Sequence, residues 1–372
     1  SIPSELGRLA NVSKLFLQSN QFTAPIPSQI GHLRSLGLFD ASNNSLSAAI
    51  PSEIGAIGTA LNTLILSDNN LSSTLPSSMC DLTDLQVVSL SSNRLRGELP
   101  ACPHGFLRLW VLDVANNTLK GHLPSVKRWP AIRYLLLHDN KFTGTLGELE
   151  FNRSQHASGG DDDYYDDGIF DYDDDGTQDD ALDNPRVDHG ANLVTLTLHN
   201  NLLIGRIPPE LALPRSLKTL TLADNKLTGR VPRELLEQQR SNNGTTEMTI
   251  YATNNRLSCD LPQSWNFTTD QQSLVLIGNR FSWTLPSWVQ RIEANSTFLS
   301  TVVRVHIRDM SLPAWLTVLL QACVVALLSE PALARYRRDF ADPTSRRAAL
   351  VTAAAAGGGD DMNRFLTSPV SR

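Results

Sequence analysis

Cysteine is scarce in this sequence. Cys80, Cys102, Cys259 and Cys323 are the only four among 372 residues. Four exclude a disulfide-dense scaffold, and the lack of a CxxC pair excludes the common zinc modules. Also missing are an HExxH pair, a phosphate-cradling glycine loop and a nucleophile elbow, so no enzyme signature stands out. A signal peptide is absent too. The chain opens on Ser1 in "SIPSELGRL", in mid-motif, as a fragment would. Concentrated basic charge is lacking. Formal net charge is −6, yet residues 155–190 alone hold 13 Asp against one Arg. The remainder is therefore mildly positive, too diffusely so for a nucleic-acid partner. Hydrophobic residues are plentiful at 41%, enough for a sizeable core in one large or two medium domains.

The chain repeats itself. "LFLQSNQFTAPIP", "LILSDNNLSSTLP", "VSLSSNRLRGELP", "LDVANNTLKGHLP", "LTLHNNLLIGRIP" and "LTLADNKLTGRVP" share the pattern LxLxxNxLxGxIP. The recurring asparagines are Asn20, Asn44, Asn69, Asn93, Asn117, Asn140, Asn201, Asn225, Asn255 and Asn279. Their spacings are 24, 25, 24, 24, 23, 61, 24, 30 and 24. In LxL, alternate residues point the same way along a short strand, so both leucines enter a core. The Asn amide can donate and accept where the strand turns a corner. Proline fixes φ and gives up a ladder donor, which suits a bend. One unit cannot bury its apolar face alone, whereas stacked units bury a continuous core.

Over residues 2–290 these units resemble the leucine-rich repeat family, in its plant-type class of about 24 residues with the GxIP signature. The resemblance implies an α/β solenoid: a right-handed horseshoe of about ten to eleven repeats with a parallel β-sheet on its concave face. A C-terminal apolar helix is expected in addition. Two departures stand out. The cysteine-bearing end caps of extracellular members are missing, and the last unit, "VVRVHIRDMSLP", has lost its Asn.

The spacing of 61 marks an insertion between about Phe151 and Gly190. It falls after a turn and before the next strand, so it should leave from the convex or flanking side. Long surface insertions cost little closure entropy. A segment so rich in Asp and Gly and so poor in apolar residues predicts disorder. "DYDDDG" places Asp171, Asp173 and Asp175 like the opening of an EF-hand loop, but Leu182 stands where the bidentate Glu belongs. Weak calcium binding at these aspartates, and sulfation of Tyr164, Tyr165 and Tyr172, are the sharper alternatives.

"LPAWLTVLLQACVVALL", residues 312–328, carries no charge. As a helix it reaches about 26 Å, near the ~30 Å hydrocarbon thickness. Arg335, Arg337 and Arg338 follow it, and positive-inside logic puts the repeats outside and the C-terminus in the cytoplasm. The alternative is a helix capping the solenoid. Sequons at Asn11, Asn43, Asn70, Asn116, Asn152, Asn243, Asn266 and Asn295 all precede this run. Glycans at Asn43 and Asn116 would obstruct part of the concave face. The expected organisation is repeats over 1–150, an acidic insertion over 151–190, repeats with a degenerate end over 191–310, a membrane helix over 311–329 and a short low-complexity tail over 330–372.

Cys80 and Cys102 lie on adjacent units at similar positions after LP, so they are either disulfide-bonded or two buried thiols. Cys259 has no obvious partner, and Cys323 lies in the apolar run. The concave positions flanking each LxL include Phe16, Asp40, Asp68, Asp113, Tyr134, His138, Asp139, His199, Asp224 and Tyr251. They form either a solvated strand face or a ligand-binding strip with Tyr134 and Tyr251 as anchors. His138 and His199 share a column in consecutive units. Asp139, as a strand neighbour, is expected to point elsewhere, so no third metal ligand is expected. The sequence therefore predicts no cofactor, no metal and no enzyme. It predicts a membrane-anchored, single-pass plasma-membrane protein of receptor-like or adhesion role. Its partners would be an extracellular protein, peptide or glycan and a co-receptor. A secreted enzyme inhibitor, a truncated receptor kinase and an intracellular scaffold are the alternatives.

Overall fold

The repeat builds the same coil again and again. In each LxL the middle residue of a three-residue strand points inward: Phe39, Leu64, Leu135, Leu196 and Leu220 are fully buried in one continuous core. Each such side chain contributes roughly 1.5–3 kcal/mol by leaving water. The computed structural model describes residues 1–151, 192–237, 248–259, 273–276, 278–281 and 303–304. Almost all of the expected acidic insertion, the apolar run 311–329 and the tail 330–372 lie outside the described residues, as do Asp171, Asp173, Asp175, Asn152, Asn243, Asn266, Asn295 and Cys323.

Among the described residues, eleven parallel strands, in chain order, make the main sheet of an α/β horseshoe. It runs from Lys14–Phe16 through Tyr134–Leu136 and Thr195–Thr197 to Val303–Arg304. The unit that lost its Asn still supplies the last of these strands, paired to Ser273–Val275. A second, six-stranded sheet runs between Thr23–Ala24 and Lys141–Phe142. Pro27, Pro51 and Pro76, with φ between −69° and −66°, lead into the 3₁₀ helices Ser28–His32, Ser52–Ala60 and Ser77–Asp81, which stack in series. The IP proline thus opens the returning arm of the coil, where its missing N–H costs nothing.

Asparagine rivets coil to coil. The Oδ1 of Asn117 accepts the Leu95 backbone N–H at 2.9 Å. Its Nδ2 donates to the carbonyls of Leu90, Val114 and Ala115 at 3.0 to 3.1 Å. The same bridge to the preceding coil recurs at Asn44, Asn69, Asn93, Asn140, Asn201, Asn225, Asn255 and Asn279. Asn20, in the first coil, is exposed and donates only within its own turn.

The insertion does not interrupt this pattern. Tyr134–Leu136 pairs in register with Thr195–Thr197, and Asn201 reaches back to Phe142 N–H and the Leu137 carbonyl. The chain departs after the 3₁₀ turn Leu146–Leu149, and it is picked up again at Asn192, whose amide donates to the Pro130 carbonyl. Cys80 and Cys102 are joined by a disulfide that ties adjacent coils.

Candidate functional site

The residue before each ladder Asn takes a left-handed backbone. Ser19, Asn43, Asp68, Ser92, Asn116, Asp139, Asn200, Asp224 and Asn254 all have φ between 51° and 56°. Ser, Asn and Asp tolerate this region because their short polar groups bond locally. The strand has ended by then, so these side chains escape strand alternation and lie along one edge of the concave sheet. Neighbouring coils zip together there. Asn43 donates to Ser19 Oγ, Asn116 to Ser92 Oγ, Asn200 to Asp139 Oδ1 and Asn254 to Asp224 Oδ1. Sequon residues Asn11, Asn43 and Asn116 are exposed, and Asn70 is half-buried.

Three of the expected concave contacts are not available to a ligand. Asp40, Asp113 and Tyr134 are buried, at 3%, 4% and 3% exposure. Asp40 and Asp113 end strands, and each carboxylate accepts the backbone N–H two residues on, from Ser42 and Ala115. Tyr134 packs against Val87 and Val111, in an edge-on contact with Trp110 at 6.3 Å. Burial raises the Tyr134 phenol above its ordinary range, with Arg133 acting the other way. Phe16 is 49% exposed, Asp68 and Tyr251 are half-buried, and Asp224 is exposed.

The strongest departure from the repeat straddles the insertion. Two positions before the ladder Asn, five coils carry a small residue: Ser42, Ser67, Ser91, Ala115 or Ala223. The two central coils carry His138 and His199, whose rings stack at 4.3 Å and 17°. His138 Nδ1 lies 2.7 Å from Thr197 Oγ1, and His199 Nδ1 lies 2.9 Å from Thr221 Oγ1. The opposite nitrogens face one carboxylate: Asp139 Oδ2 is 3.9 Å from His138 Nε2 and 3.8 Å from His199 Nε2. Burial holds the His199 pKa below its usual value, while Asp139 and then Asp224 oppose that shift.

Asp139 corrects the sequence reading. The expectation was a pair of histidines lacking a third ligand. In the fold, the left-handed backbone at Asp139 turns its carboxylate toward both rings. Donor atoms of His138, Asp139 and His199 lie within 4.8 Å of one another. The signal available in the sequence was the recurrence of Ser, Asn and Asp just before the ladder Asn, which marks a position outside the strand.

Beside this cluster lies a small apolar patch. Val87, Val111 and Tyr134 are buried on the concave side, with Trp110 and Val194 partly buried against them. The aliphatic-aromatic patch and the His–Asp cluster occupy neighbouring coils of one face. Among the described residues no helix is long and apolar enough to cross a membrane.

The family model "Leucine Rich Repeat" matches residues 60–82. A sequence comparison with curated proteins finds no match. Solved structures are more informative. The ectodomain of the Arabidopsis receptor kinase HAESA, in complex with an N-terminally extended IDA peptide hormone, is similar at a TM-score of 0.60 and 26% identity, over 83% of this chain and 44% of that one. A TDR receptor gives 0.60 and 26%, over 81% of this chain and 45% of that one. The PEPR1–AtPEP1 structure gives 0.61 and 25%, over 82% and 37%. A plant ice-binding protein, at 0.54 and 22%, shares the fold alone. This chain spans less than half the length of those three receptor chains. The coil geometry, the Asn ladder and these likenesses converge: the chain is a plant-type leucine-rich-repeat protein resembling receptor ectodomains.

Proposed function

We propose that this chain is a non-catalytic recognition module that faces the cell exterior and binds a peptide across its concave sheet. The observation that carries this reading is the break in concave regularity over the strands from Val87–Ser89 to Thr219–Thr221, where the apolar patch adjoins the His–Asp cluster. These are five successive strands of the sheet. At about 4.8 Å per strand the strip is roughly 19 Å long, the span of an extended peptide of about six residues. Trp110 and Val194 are the accessible edge of that patch, and such an edge beside a cluster of polar donors and acceptors suits a short peptide with one hydrophobic and one charged end. The likeness to the HAESA ectodomain, solved with a peptide hormone, supports the same ligand class. A disulfide and exposed sequons suit an oxidising, secretory compartment. In this reading the run 312–328 anchors the chain, the tail lies in the cytoplasm and a co-receptor completes the signal.

The test is selection of peptides from a displayed random library on protein secreted by eukaryotic cells. Selected peptides should lose at least tenfold in affinity for Thr195→Arg, which fills the strip beside Tyr134, and none for Arg96→Glu on the second sheet. Peptides that bind both variants equally, or a library that yields no binder, would overturn the reading.

A further inference from the structure

We propose that His138, His199 and Asp139 form a binding site for a divalent transition cation of borderline softness, such as Zn²⁺, on the concave face. Two nitrogens and one carboxylate oxygen converge from two coils: both Nε2 atoms lie 3.8 to 3.9 Å from the same Asp139 Oδ2. Ligands around a tetrahedral Zn²⁺, at Zn–N and Zn–O distances of about 2.0–2.1 Å, sit about 3.3 Å apart. Closing the two Nε2–Oδ2 separations takes about half an ångström, while the donor atoms of the two rings, within 4.8 Å of each other, have further to close. The stacked rings must also tilt, because near-parallel imidazoles aim their lone pairs side by side rather than at one point.

The surroundings favour this closure. Each prospective ligand is held by its other polar atom: His138 Nδ1 at Thr197, His199 Nδ1 at Thr221, and Asp139 Oδ1 by Asn200 Nδ2 at 2.7 Å. Partners of this kind fix ring orientation and, by accepting a hydrogen bond from Nδ1–H, raise the basicity of the coordinating nitrogen. A donor set of two imidazoles and one carboxylate selects Zn²⁺, Cu²⁺ or Ni²⁺ over the oxygen-seeking Ca²⁺ and Mg²⁺. Three protein ligands leave a fourth position for water or for an incoming carboxylate or imidazole. The site stands on its own atoms and does not depend on peptide binding.

The decisive experiment titrates untagged, full-length protein with Co²⁺ and follows visible absorption, then displaces Co²⁺ with Zn²⁺ against a chromogenic chelator. One equivalent of Co²⁺ should give the intense bands of a four-coordinate site. His138→Ala, His199→Gln and Asp139→Asn should each weaken Zn²⁺ binding at least tenfold, with unchanged circular dichroism. Thr197→Val should weaken it as well, since it releases the His138 ring without removing a ligand. Replacing Asp171, Asp173 and Asp175 together by Asn should leave the spectrum intact, which separates this site from the acidic segment. Zn²⁺ affinity equal in wild type and a His138→Ala, His199→Ala double variant would overturn the proposal. So would Co²⁺ bands that survive all these substitutions. Either failure leaves the peptide-binding reading standing.

Discussion

The coils before Tyr134 and the two coils that straddle the insertion have the same interior and different faces. Inside, Leu90 and Leu112 in the former and Leu135 and Leu196 in the latter fill one core, and Asn93, Asn117, Asn140 and Asn201 make matching bridges. Outside, Ser91 and Ala115 give way to His138 and His199. Scaffold and surface are thus set by different positions of one repeat. A residue that recurs holds the coil, and a residue that breaks recurrence on the concave side is where we propose that recognition is placed.

The sharpest way to test that division is to cut the same side chain on each side of it. Phe39 is fully buried and Phe16 is 49% exposed. Phe39→Ala should cost about 3–5 kcal/mol. Phe16→Ala should stay within about 0.5 kcal/mol. Urea unfolding followed by circular dichroism measures both. Comparable losses would mean that the first coil packs on something its own core does not provide.

A smaller contrast lies along the ladder. Asn117→Ala removes four hydrogen bonds and strands buried backbone groups, a cost on the order of 3 kcal/mol. Asn20→Ala loses two exposed bonds and should cost under about 1 kcal/mol. Unfolding midpoints that shift equally would remove the coil-to-coil bridge from the account. Smaller still is the effect at the bend that follows the second strand. Gly121 sits at φ +88°, while Ala48 holds the equivalent bend at φ +64°. Gly121→Ala should destabilise by about 1–2 kcal/mol, and Ala48→Gly should stabilise by less than about 1 kcal/mol, relief of strain being partly offset by unfolded-chain entropy. A destabilised Ala48→Gly would show that this bend carries no strain.

Most of the coil was legible in the sequence, because LxLxxN fixes both periodicity and the sign of each side chain. The spacing of 61 predicts that the repeat resumes beyond the insertion, and Tyr134 pairs in register with Thr195. Depth was not legible. Alternation assigned Asp40, Asp113 and Tyr134 to the concave face, but their burial depends on neighbours one coil away, such as Trp110 beside Tyr134. Asp139 was misread for a related reason. Its direction comes from a left-handed backbone after the strand has ended, which the period of two does not describe.

The central claim is that recognition and stability rest on separate positions of the repeat. It is tested most directly by measuring two quantities on two variants: the unfolding midpoint and the affinity for a library-selected peptide, on Phe39→Ala and Thr195→Arg. The account predicts a crossed result. Phe39→Ala should lower the midpoint and keep its affinity under folding conditions. Thr195→Arg should keep the midpoint and lose at least tenfold in affinity. If both variants lose stability and affinity in parallel, scaffold and surface are not separable, and the concave strip is not the binding site.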